Sequence, residues 1–95
     1  MIIVAGHLRV DAGDRDVFLA RSRDAIHLAR NAPGCRDFVV AADPLDPGRI
    51  NVYERWTDRA ALHAFRGDGP DDELNALIVN ADVAEFEVRP TQPDT

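Results

Sequence analysis

The segment from Pro33 to Phe65, PGCRDFVVAADPLDPGRINVYERWTDRAALHAF, restricts the possible folds of this chain more than any other. Two largely apolar runs, Cys35 to Ala42 and Arg49 to Trp56, flank Asp43-Pro44-Leu45-Asp46-Pro47-Gly48. Two prolines and a glycine in six residues leave only a turn there, so the runs read as the two strands of a hairpin. Thr57 or Asp58 then offers a side-chain oxygen to cap a short helix, on which Ala61, Leu62 and Phe65 share one face. Ahead of the hairpin, Asn31-Ala32-Pro33-Gly34 ends a preceding helix, because proline disfavours a helical residue before it and glycine accepts positive φ.

The flanking segments complete a short pattern. Ile2 to Val10 is rich in β-branched residues and reads as a strand that is apolar on both faces at its beginning, placing Ile3, Ala5 and His7 on one of them. After Asp11-Ala12-Gly13-Asp14, a helix to about Arg30 packs by Phe18, Ser22, Ala25, Ile26 and Ala29. Gly67-Asp68-Gly69-Pro70 interrupts the second helix. A further helical piece from Pro70 to about Val79 packs by Leu74, Leu77 and Ile78, and the last strand, Val83 to Arg89, sets Ala84, Phe86 and Val88 opposite Glu85 and Glu87. The order is βαββαβ with the second helix broken. Right-handed crossovers turn that order into an α+β, ferredoxin-like fold with a four-stranded antiparallel sheet and its helices on one face. Residues 1–90 form a single domain and 91–95 a mobile tail. The uncovered face, expected to carry Phe38 or Val40, would be a larger apolar patch than monomers usually tolerate.

Composition narrows the function. At 95 residues the core is near the lower limit of self-sufficiency, which favours a homodimer. A net charge of -6 without any basic run argues against nucleic acid and anionic membrane surfaces as partners. No apolar run approaches the ~18 residues of a spanning helix, and MIIVAGHLRV lacks the pattern of a secretory signal, so a cytoplasmic location is expected. All eleven cationic side chains are arginine, which removes lysine Schiff-base chemistry. Cys35 is the single cysteine and reads as a small buried residue. His7, His27 and His63 show no metal-ligand spacing, and no glycine-rich dinucleotide fingerprint follows a strand. Neither a metal nor a cofactor is expected.

The Pro33-Gly34-Cys35 strand entry, the Asp-Pro turn, the Tyr53-Glu54-x-Trp56 strand end and the Asp58-x-Ala60-Ala61-Leu62 helix start together resemble the antibiotic biosynthesis monooxygenase superfamily, over roughly Ile2 to Arg89. The resemblance implies two sheets meeting in a dimeric α+β barrel. It also implies that Trp56, at the motif tryptophan, lines a substrate pocket. In haem-degrading relatives a pocket amide stands where this chain has His7, so His7 is a candidate general base or hydrogen-bond donor; imidazole titrates near neutral pH. Phe38, Tyr53 and Phe65 are candidate walls for an aromatic substrate. Glu54, two residues before Trp56 and on its face, reads as one half of an ion pair with an arginine. The chain departs from the pattern at Phe65, where many members have a histidine. Three readings compete: a cofactor-independent monooxygenase acting on a quinol or an anthrone-like polyketide, a dimer that binds a small ligand without turnover, and a haem-binding or haem-degrading protein.

Overall fold

A computed structural model describes residues 1–67 and 72–91, with backbone alone at 72 and 73. The elements run β1 (Ile2–Val10), a single 3-10 turn (Ala12–Asp14), α1 (Arg15–Arg30), β2 (Cys35–Ala42), β3 (Arg49–Trp56), α2 (Arg59–Arg66), α3 (Asp72–Asn75) and β4 (Ile78–Glu87). All pairings are antiparallel and the strand order is β2-β3-β1-β4, the ferredoxin-like arrangement expected from the element order. No helix among the described residues is long and apolar enough to cross a membrane.

Local chemistry sets the boundaries of the central segment. Gly34 has φ 83°, a conformation that favours glycine, and its carbonyl accepts the Thr57 N–H at 2.8 Å, tying the entry of β2 to the end of β3. The Asp58 carboxylate accepts the Ala61 N–H at 2.8 Å and caps α2. In the hairpin turn the Asp43 carboxylate accepts the N–H groups of Leu45 and Asp46 and the amide of Asn51. These bonds hold its pKa down to about 2, with the Asn51 bond the largest cause.

Cross-strand partners share a face, so the register fixes which side chains meet the helices. Val4, Glu54, Phe38 and Glu85 form one row on the helix side, and Leu8, Ile50, Ala42 and Ala81 another. The outer side carries Ile3, Ala5, His7, Val39, Tyr53, Arg55 and Phe86. Phe38 and Val40 therefore belong to the helix-covered side, and the expectation that they lie on the open face is corrected. Phe38 is buried in a core cluster with Ile2, Val4, Ala29, Trp56 and Leu62. A second cluster joins Val10, Phe18 and Ile50 at the other end of the sheet.

The C-terminal third also differs from the sequence reading. The helical piece ends at Asn75, and β4 begins at Ile78, five residues before the expected Val83. Pairing with β1 explains the early start: β4 follows β1 along its whole length, from Ile2 opposite Glu87 to Val10 opposite Ile78. The strand ends at Glu87, and the Val88 N–H bonds the Met1 carbonyl at 2.9 Å. The expected break at Asp68-Gly69-Pro70, and the tail beyond residue 91, lie outside the described residues.

Candidate functional site

A cavity of about 370 Å³ lies between the sheet and the helices. Its floor is the helix-side row pattern, with Val4 and Leu8 from β1, Val40 from β2, Val52 from β3, and Ala81 and Val83 from β4. Helix α1 supplies Phe18, Ser22, Ala25 and Ile26 as the roof. Gly6, between Val4 and Leu8, has φ 151°, and a Cβ there would collide with the Asp82 carbonyl of β4. A side chain is thus excluded at Gly6, where the backbone of β4 approaches β1 closely.

The polar side chains on this apolar wall are few: Glu54, Arg66, Ser22 and Asn75. The Ser22 hydroxyl donates to the Phe18 carbonyl at 2.8 Å, within its own helix. Glu54 is buried to 7 % exposure, and its Oε1 accepts the Trp56 indole N–H at 3.0 Å. Its Oε2 faces Arg66 at 3.9 Å, beyond direct hydrogen-bond reach. Burial pushes the Glu54 carboxyl above the usual range, while the indole bond and the Arg66 charge pull against that rise. The result is a cavity-lining carboxylate with one oxygen held by the indole and the other within 3.9 Å of the Arg66 guanidinium. Such a group suits proton transfer, because burial makes it a stronger base than an ordinary carboxylate.

The sequence candidates fall into different places. Phe38 lines the cavity. His7 does not: its partners Asn51 and Asp82 and its position in β1 put it on the outer side of the sheet, a full strand thickness from Glu54. The expectation of a pocket imidazole is corrected for that reason. Tyr53, opposite Ala5 and Val39, is also on the outer side and outside the cavity. Trp56 has no exposure and lines neither of the two cavities described; Phe65 lies against its ring at a centroid distance of 5.4 Å. Trp56 reaches the site through its hydrogen bond to Glu54 instead of forming a wall. Phe65 packs edge-on to Phe38 at 5.8 Å and faces a second hollow, beside Pro33, Gly34 and Thr57, not the cavity that holds Glu54.

Glu54 and Arg66 are the residues that sequence reasoning undervalued. The ion pair expected for Glu54 is present, and both partners line the cavity. The available signal was a carboxylate two residues before a strand-end tryptophan. Cys35 is half-buried, its Sγ–H directed at the Asp37 carbonyl at 3.5 Å, and burial raises its pKa, which keeps the thiol protonated. His27 and His63 are exposed. No imidazole lines the cavity to hold a haem iron, so the residues present do not fit haem.

Comparison with known proteins agrees with this architecture. The sequence profile of the family described as antibiotic biosynthesis monooxygenase matches residues 1–69, and the chain belongs to that family. An uncharacterized protein of Synechocystis sp., sll1783, is 28 % identical over 100 residues; the match takes in 96 % of this chain and 65 % of that relative's length. Among solved structures, a Nitrosomonas europaea protein provisionally named an antibiotic biosynthesis monooxygenase superimposes with a TM-score of 0.82 at 16 % identity, covering 93 % of this chain and 98 % of its own. A Deinococcus radiodurans protein of the same provisional name gives 0.75 at 22 % identity, covering 100 % and 99 %. At such identities these structures show the shared fold.

Proposed function

We propose that this protein oxidises an electron-rich aromatic, a quinol or an anthrone-like polycycle, with dioxygen in the helix-side cavity, and that Glu54 takes the proton that starts the reaction. The observation carrying this reading is a buried carboxylate, oriented by Trp56 and alone among the described lining residues, on the wall of a largely apolar cavity. Loss of a proton to Glu54 Oε2 leaves an anion that can itself pass an electron to dioxygen, so the reaction needs neither metal nor flavin. Recombination of the carbon radical with superoxide forms the C–O bond, Glu54 returns its proton to the peroxide, and loss of water then turns an anthrone methylene into a carbonyl, with one oxygen atom in the product and the other in water. The protein's share is to hold the substrate dry, remove the proton and steady the anion.

Oxygen uptake with a panel of quinols and anthrones tests this. Wild type should turn over at least one of them, and Glu54→Gln should lose about 10²-fold in rate, the scale of a missing general base. Activity should rise with pH through the raised Glu54 pKa, because the ionised form is the base. Ligand binding without oxygen uptake would favour the alternative, a binding module; the departure at Phe65 motivates that reading.

The outer sheet side supports a second copy of the chain as the partner. Ile3, Ala5, Val39 and Tyr53 lie there beside Phe86, which is 51 % exposed, and the Arg55 Nε is buried without a hydrogen bond. A facing sheet would cover that surface and leave the cavity, on the opposite side, accessible.

A further inference from the structure

Arg66 is held from behind. Its Nη1 donates to Glu85 Oε2 at 3.1 Å, and the other Glu85 oxygen accepts from Arg59 at 3.2 Å. Its Nη2 is left facing Glu54 Oε2 across 3.9 Å. Among the described residues that line this cavity, Glu54 is the only acid and Arg66 the only cation. The gap is too wide for a direct bond, and a hydroxyl seated on its cavity side, off the line joining the two atoms, can donate to Oε2 at about 2.7 Å and accept from the guanidinium at about 2.9 Å, with an angle near 90° at the oxygen. The apolar floor runs from Val4 to Leu8, four residues of strand or roughly 13 Å, enough for three fused rings.

The geometry points to a ligand class and a role for Arg66: the cavity selects an apolar polycycle bearing one acidic hydroxyl, a phenol or an enol, and Arg66 is the counter-ion of its oxyanion. The inference rests on the proposed function in placing an aromatic in this cavity. The step balances without any further reactant. The ligand O–H bond breaks, the Glu54 Oε2–H bond forms, and the negative charge facing Arg66 moves from the carboxylate to the ligand oxygen. No unpaired charge is buried at any point, which is what a low-dielectric cavity requires. A methyl ether cannot donate to Oε2 and leaves the pair unbridged. A carboxylate ligand sets two anions against one guanidinium and is rejected by repulsion.

Binding of three inert probes tests this without turnover: 2-hydroxyanthraquinone, 2-methoxyanthraquinone and anthraquinone-2-carboxylate. The first changes colour on ionisation, so its acid constant in the bound state is read from the absorption spectrum. Wild type is expected to bind the hydroxyl probe at least about tenfold more tightly than the other two, and to raise its acid constant about tenfold or more over that in water. Arg66→Gln should abolish that rise, Arg66→Lys should keep much of it, and Arg59→Gln should leave it in place. Glu85→Gln removes the carboxylate that competes for Arg66 and should increase it further, and this variant decides the matter if Arg66→Gln does not fold. Equal acid constants in wild type and Arg66→Gln, no increase in Glu85→Gln, methoxy binding as tight as hydroxyl binding, or no binding of the hydroxyl probe would each overturn the inference. Oxygen uptake is not read here, so the outcomes separate. Bound, ionised probe without oxidation of any quinol defeats the proposed activity alone, and full turnover by Arg66→Gln defeats Arg66 alone.

Discussion

Replacing Trp56 by phenylalanine separates the structural from the chemical role of the indole. The substitution removes the hydrogen bond from the indole N–H to Glu54 Oε1, 3.0 Å long and buried at both ends, and leaves a void in the cluster formed with Ile2, Val4, Ala29, Phe38 and Leu62. A hydrogen bond to an ionised acceptor is worth about 1.5–3 kcal/mol, and the void left by shrinking an indole to a phenyl ring adds about 1 kcal/mol. The sum is a large share of the 5–15 kcal/mol typical of a small domain. It corresponds to a fall of roughly 10–30 °C in melting temperature for a chain of this size. The loss should also depend on pH. Burial raises the Glu54 pKa in the folded state, so the stability tied to its protonated form is present below the unfolded carboxyl pKa and is lost as pH rises through the folded one. The indole bond favours the ionised form and opposes that loss. The gap between wild type and Trp56→Phe should therefore widen as pH rises through the Glu54 titration. Urea unfolding followed by circular dichroism, at pH values on both sides of that titration, measures the gap. A double-mutant cycle with Glu54→Leu should give a coupling of about 1.5–3 kcal/mol on the alkaline side, shrinking on the acid side. A coupling near zero at both would refute the reasoning and reduce Trp56 to packing alone.

His7→Phe should change the affinity of a cavity ligand by less than about threefold, measured by fluorescence or absorption titration, since the ring is on the other side of the sheet. A larger loss would return His7 to the site. Asp43→Ala should destabilise the hairpin turn at neutral pH, and the difference from wild type should close as pH falls through about 2, because a depressed carboxyl pKa gives stability that is present above the unfolded value and lost below the folded one. Acid titrations of both proteins by circular dichroism check the sign. Phe86→Asp places a charge on the outer sheet side and should shift a dimer to monomer in sedimentation at micromolar concentration.

Element order was legible in the sequence because turns and caps are written in single residues. Pro33-Gly34, the Asp43 to Gly48 turn and Asp58 mark their boundaries, and the α1 stripe through Phe18, Ser22 and Ala29 follows from helical spacing. Sheet sidedness was not legible. In β2 both alternating sets, Phe38 with Val40 and Val39 with Ala41, are apolar, and β1 is apolar on both sides at its start, so periodicity alone could not choose the helix side. The final strand misled for a related reason. Alternation set Glu85 opposite Ala84 and Phe86 without saying which set meets the helices, and Glu85 is on the helix side, where Arg59 and Arg66 of α2 receive it. Early pairing of Ile78 with Val10 depends on β1, a contact between opposite ends of the chain that no local pattern carries. In the site, the shared face of Glu54 and Trp56 was readable from their spacing. The choice between His7 and Glu54 was not, because it depends on which side of β1 and β3 the helices cover.

Which side of the sheet holds the ligand can be measured directly by methyl and amide NMR during an anaerobic titration with 1,8-dihydroxy-9-anthrone, where exclusion of dioxygen stops turnover. The account predicts shifts at Val4, Leu8, Ile26, Val40, Val52 and Val83, which line the cavity, and at the Trp56 indole N–H through Glu54. Ile3, Val39 and His7, on the outer side, should stay in place apart from small transmitted changes. Shifts concentrated at Ile3, His7, Val39 and Tyr53, with the cavity methyls unmoved, would contradict it.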